Sequence, residues 1–144
     1  MTSVSEVQGA KASARRDLSV STLVRDAQQL LRGDDYEGAL GLYQMAASLA
    51  PEKIELEGYV DLLRSRLVKR YRERIGDPGR IPKLLVPLGQ ITGINLPADA
   101  GFVLSMIDGR TSFGELLSVT SMGPFEALRI LAGLLDAGIV EVAQ

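Results

Sequence analysis

The sequence contains no cysteine and no histidine. The first absence removes disulfides, thiolate metal sites and thiol nucleophiles. The second removes the commonest general base and the commonest metal ligand. Carboxylates could still hold magnesium or calcium, but that needs a cluster of them, and none stands out. The first twenty residues lack the continuous apolar segment of a signal peptide, and no window approaches the roughly 20 apolar residues of a transmembrane helix. A cytoplasmic protein without a membrane contact is therefore expected. There is also little net charge: 16 Lys and Arg against 18 Asp and Glu leave −2, which argues against a generic binder of nucleic acid or anionic membrane. What remains is an ordinary globular composition, 46% apolar and 24% charged over 144 residues, enough for one real core or two small ones.

Residues 1–18 are small and polar, and composition predicts a mobile tail there. From Leu18 the period becomes helical. Leu23, Ala27, Leu30 and Leu31 share a face, with Ser21 or Thr22 as a cap. Arg32-Gly33-Asp34-Asp35 breaks that helix, Gly33 being suited to a left-handed C-cap. Tyr36, Ala39, Leu40, Tyr43, Ala46, Ala47 and Leu49 form a second helix that ends before Pro51. A short turn between two such helices makes an antiparallel hairpin, and Ala39 and Ala46 let the backbones approach closely. The stretch GDDYEGALGLYQMAASLAP resembles the second half of a tetratricopeptide repeat, through Tyr36, Ala39, Tyr43, Ala46 and Pro51, although an extra Asp separates Gly33 from Tyr36. Such repeats stack into arrays, and only one unit is present. The open side of the hairpin must then be covered, and Ile54, Leu56, Val60, Leu63, Leu67 and Tyr71 offer a third helix for it. Residues 19–76 are read as this three-helix segment.

The third helix turns basic towards its end, where Arg64, Arg66, Lys69, Arg70, Arg72, Arg74 and Arg80 outweigh Glu73 and Asp77. Cations near a helix C-terminus are favoured by the macrodipole, so a solvated helix end explains the run, and a docking surface for an acidic partner is the functional reading of it. Gly76-Asp77-Pro78-Gly79 ends the helix, and 77–82 reads as a linker. Beyond it the period changes. Residues 83–86 and 91–94 read as short strands, Pro87 confining the first to an edge or to its end. Pro97 opens a helix that runs to Ile107.

Asp108, Arg110, Thr111, Ser112 and Glu115 form the one polar cluster that could pass for an active site. Each has a simpler task. Gly109 supplies a positive φ, Asp108 bonds the turn, and Ser112-x-x-Glu115 is a capping box for a helix with Phe113, Leu116 and Leu117 inward. Met122-Gly123-Pro124 turns into a last helix, closed by Gly138 before a strand at 139–142. The 83–144 segment is thus expected to be a winged-helix-like α+β domain. The stretch NLPADAGFVLSMIDGRTSFGELLSVTSMGPFEALRILAGLLDAGIVEV resembles a module of bacterial regulatory and signalling proteins, and is similar to peptide-recognition winged helices of bacterial cofactor and modified-peptide pathways. That resemblance implies binding of proteins or peptides rather than chemistry. DNA is a poor fit, because Lys83, Arg110 and Arg129 are outnumbered by Asp99, Asp108, Glu115, Glu126, Asp136 and Glu141.

The chain as a whole is expected to be mostly α with a small β component. Its expected function is that of a non-enzymatic adaptor without cofactor, metal or catalytic residues, binding other proteins, acidic ones included, or a second copy of itself. A nucleic-acid-associated regulator using 64–80 is the alternative. The candidate contact residues are Tyr36 and Leu42 on the uncovered hairpin, Arg66, Lys69 and Arg70 on the basic helix, and Ile130 and Leu134 on a second apolar side of the last helix.

Overall fold

A computed structural model describes residues 4–87, 90 and 98–143, with side chains described at 14–87, 90 and 99–142. It is mostly α, with one small antiparallel sheet. In chain order the elements are α1 (Val4–Arg32), α2 (Tyr36–Leu49), α3 (Ile54–Ile75), β1 (Ile81–Leu84), α4 (Ala98–Met106), α5 (Phe113–Val119), α6 (Pro124–Asp136) and β2 (Val140–Ala143). The chain divides into two compact units, Met1–Leu67 and Val68–Gln144, and the division falls inside α3 rather than at 77–82.

In the first unit α1 starts at Val4, so the segment read as a tail is helical. Its alanines, glutamate, glutamine, lysine and arginines are good helix formers even though they commit no apolar stripe. Ser21 and Thr22 therefore cap nothing, and the Thr22 hydroxyl instead donates to the Leu18 carbonyl at 2.9 Å. The helix ends in a Schellman arrangement: the Asp34 N–H donates to the Leu31 carbonyl at 3.0 Å and the Asp35 N–H to the Leu30 carbonyl at 2.9 Å. The left-handed residue is Asp34, with φ 67°, and not Gly33. An aspartate visits that region more readily than most side chains. Asp35 then caps α2, accepting from the Gly38 N–H at 2.9 Å. The extra aspartate that breaks the repeat pattern is thus what allows one helix to close and the next to open within three residues.

Small side chains set the contact between α1 and α2: Ala27, Ala39 and Ala46 are fully buried, and Tyr43 fills the space beside them at 2% exposure. Helix α3 adds Leu56, Val60, Leu63 and Leu67 at spacings of three and four, so the first three helices pack together. Ile54 is not part of that stripe and lies exposed.

The second unit takes the last turns of α3, which explains where the chain divides. Tyr71 packs against Phe125 with ring centroids 5.9 Å apart, and Arg74 reaches Asp136 at 2.5 Å. Helix α6 is central, packing on α4, α5 and β2, with Ala127, Leu128, Ile130, Leu131, Ala132, Leu134 and Leu135 all buried. Strand β1 lies two residues earlier than expected and pairs with β2 in the register Ile81–Ala143, Pro82–Val142, Lys83–Glu141 and Leu84–Val140. The Leu85 N–H continues the ladder to the Ile139 carbonyl at 2.8 Å. That bond makes the odd-numbered residues of β1 the hydrogen-bonded ones, so Pro82 occupies a position where its missing N–H breaks nothing. The 91–94 strand and the Pro97 helix start lie outside the described residues.

The 77–82 stretch is docked, not loose. Asp77 accepts from the Gly79 N–H at 2.8 Å, closing a turn after Gly76 at φ 78°. The carbonyls of Arg80 and Pro78 receive the Phe113 and Gly114 N–H groups at 3.0 and 2.9 Å. With Ser112 Oγ accepting from the Glu115 N–H at 3.2 Å, the orphan donors at the start of α5 are satisfied.

Candidate docking groove

The polar cluster at 108–115 spends its atoms on backbone. Asp108 Oδ1 accepts from the Arg110 N–H at 2.8 Å and the Thr111 N–H at 2.9 Å, around Gly109 at φ 75°. Those donors, the Arg110 amide first, hold the Asp108 carboxyl below its ordinary value. Ser112 caps α5 as expected, but the box is only half formed, because its hydroxyl donates to Glu115 Oε1 at 3.2 Å. Among the described residues no group of three or more His, Cys, Asp and Glu could hold a metal ion. No helix described is long and apolar enough to cross a membrane.

Two open concave surfaces lie on the first unit. One is a groove of about 270 Å³ lined by Gln28 and Leu31 from α1, Tyr43 from α2, and Tyr59, Leu62, Leu63 and Arg66 from α3. Tyr59 stacks on Tyr43 with centroids 5.1 Å apart and planes 25° from parallel, within the preferred aromatic range. Tyr59 and Leu62 remain 47% and 50% exposed, a large amount for apolar side chains on a helix already packed on its other face. Tyr43 supplies the floor. Its phenol is held above the ordinary value, first by burial and then by the neighbouring Tyr59 hydroxyl, so it is a protonated donor at neutral pH. It makes no hydrogen bond among the described residues, and no buried side-chain oxygen or nitrogen there lacks a partner. Its hydroxyl therefore ends at the groove surface.

The other concavity, about 390 Å³, runs along the outer face of α2 over Gly41, Gln44, Met45, Ser48 and Leu49. Met45 is 56% exposed there.

Of the expected contact residues, Arg66 alone lines one of these two concavities. Lys69 and Arg70 follow it by one turn along α3 and are exposed, beyond the division between the units, and Arg70 already has a partner. Tyr36 and Leu42 are half-buried and line neither concavity, because α2 turns Gly41, Met45 and Leu49 outward and keeps both on its flanks. Ile130 and Leu134 are core residues at 6% and 2% exposure. The second apolar side of α6 is covered inside the protein, since that helix is surrounded by α4, α5 and β2. Sequence reading missed Tyr59, Leu62, Gln28 and Leu31 as groove residues. Two of them carry a signal: Tyr59 and Leu62 are apolar at a spacing of three, off the Leu56, Val60, Leu63 and Leu67 stripe.

A scan against protein-family models gives no match to this chain, and neither does a search of curated proteins or of solved structures.

Proposed function

We propose that the protein is a non-enzymatic adaptor that binds other proteins through the first unit, with the α1–α3 groove as its principal contact surface. The observation that carries this is the groove itself: half-exposed Tyr59 and Leu62 above a buried tyrosine floor, beside the cation of Arg66. A soluble helical unit has no folding reason to leave such side chains open, whereas aromatic residues and arginine are the usual energetic anchors of interfaces. At about 270 Å³ the groove lies below the range of small-molecule sites and suits one or two side chains of a partner. The tetratricopeptide-like hairpin supports the same reading, being a single unit of a motif that elsewhere stacks. So does the winged-helix-like reading of the second unit, in which antiparallel β1 and β2 bracket α4–α6. The most reactive-looking cluster, Asp108 to Glu115, is used up in a turn and a cap, which supports a structural role for it.

The competing reading, a nucleic-acid regulator using 64–80, loses part of its charge. Arg74 is engaged by Asp136, and Arg64 and Arg70 also have partners. The test is a photo-crosslinking residue placed at Leu62 in the full chain and illuminated in extract of the source cells. A discrete protein adduct is expected. Adducts with nucleic acid, or none, would refute the reading.

A further inference from the structure

The groove has a chemical polarity that narrows what can occupy it. Its lining carries one formal charge, the guanidinium of Arg66, beside the Tyr43 hydroxyl, which makes no hydrogen bond among the described residues although the residue is 2% exposed, the Tyr59 hydroxyl and the Gln28 amide. Two short turns reverse the chain twice, so α1 and α3 run in the same direction. Arg66 follows Leu62 by four residues on α3, and Arg32 follows Gln28 by four on α1, each pair sharing a helix face. Neither arginine makes an ion pair among the described residues. The rest of the lining, Leu31, Leu62 and Leu63 with the ring of Tyr59, is apolar or aromatic. The single cation beside this apolar lining favours an occupant that offers an anionic acceptor next to an apolar side chain. Phosphate-rich ligands fit poorly, because a single side-chain cation lines the groove and no run of backbone N–H groups does.

Resting on the adaptor reading, we propose that the groove takes a short acidic segment of a partner protein, whose leucine or aromatic side chain packs on Tyr59 and Leu62 while an adjacent carboxylate meets Arg66 and the Tyr43 hydroxyl. An ionised acceptor here gains charge-assisted bonds that an amide of the same shape does not. The charge of Arg66 also raises the encounter rate of acidic segments, an effect that weakens with salt.

The experiment is selection of a random displayed peptide library on the full chain, with recovered sequences remade as synthetic peptides. Binding is then read from backbone amide shifts of the 15N-labelled protein. The expected result is a set of sequences with Asp or Glu beside Leu, Phe or Trp that shifts the amides of Gln28, Leu31, Tyr59, Leu62 and Arg66. Replacing the peptide's carboxylate by its amide should weaken binding about tenfold or more, the usual worth of a hydrogen bond to a charged group. Arg66→Gln should cost the acidic peptide a similar factor and leave the amide peptide unchanged. Tyr43→Phe should also weaken the acidic peptide, in a protein that retains its fold. Recovery of no binder, of binders without an acid, or of peptides indifferent to Arg66→Gln would overturn the proposal. If those same peptides or a cellular protein still bind at another face, the adaptor reading stands while the groove assignment falls.

Discussion

Tyr43 gives the sharpest test of how the first unit is built, because removing its ring and removing only its hydroxyl should have opposite consequences. The ring is 2% exposed, lies beside Ala39, Ala46 and Ala47, and stacks on Tyr59 at 5.1 Å. Tyr43→Ala leaves a cavity that alanines cannot fill and should cost about 3–5 kcal/mol, comparable with the whole stability of a small domain. The lost stack is part of that figure, worth about 0.5–1.5 kcal/mol. Tyr43→Phe keeps the ring, the volume and the stack. Because the hydroxyl has no partner among the described residues, the usual loss of about 0.5–1.5 kcal/mol for a broken hydrogen bond is not incurred. The midpoint of urea unfolding should stay where it is or rise slightly. The unfolding should be followed through the amide signals of Ala39, Ala46 and Val60, so that the first unit is read by itself. A wild-type midpoint for Tyr43→Ala would show that the ring is not core. A loss of about 1 kcal/mol or more for Tyr43→Phe would show that the hydroxyl is bonded, and the groove would lose its free donor.

Four further outcomes follow from the caps and turns. Asp35→Ala should cost about 1 kcal/mol through loss of the α2 cap. A Cβ at Gly38 would sit 2.5 Å from the Asp35 carboxylate, so Gly38→Ala should be near neutral in the native chain yet stabilising by about 0.5–1 kcal/mol on the Asp35→Ala background, as a denaturation cycle over the four proteins would show. Gly138→Ala meets no neighbour within 4 Å but must adopt φ 73°, so its cost of about 1–2 kcal/mol should come from backbone strain alone, measured by thermal unfolding. The Asp108 carboxyl is depressed in the folded protein, so its contribution is fully present above the unfolded-state value and is lost as pH falls through the folded one. A side-chain NMR titration should find its midpoint below the ordinary aspartate value, and Asp108→Asn should flatten that part of the pH–stability curve.

Much of the fold could be read before the structure, because local signals and packing agree there. Helix α2 runs from Tyr36 to Leu49 as its periodicity and Pro51 require, and Gly109, Ser112 and Gly138 do the turn and cap work assigned to them. The disagreements have physical causes. Residues 4–17 have helix propensity but no apolar stripe, so composition alone reads as a tail what is the first half of a long helix. The sequence places a boundary at Gly76 to Gly79, yet the last turns of α3 carry Tyr71 and Arg74 to partners in the second unit. The site was less legible than the fold. The two apolar sides of α6 look like spare surface until three elements are seen to pack around that helix. Tyr59 and Leu62 look like ordinary helix residues until Leu56, Val60, Leu63 and Leu67 are seen to be the buried stripe.

Whether the first unit's groove is the protein's working surface is decided by comparing two surface charges in one quantitative capture from native extract. Leu62→Asp places a carboxylate in the groove beside Arg66, and Val119→Asp places one on the second unit; both positions are at least half exposed in the wild type, so neither change should unfold the chain. Proteins captured by the wild type should be retained by Val119→Asp and lost with Leu62→Asp, at equal far-UV circular dichroism. Capture that survives Leu62→Asp unchanged would contradict that role for the groove.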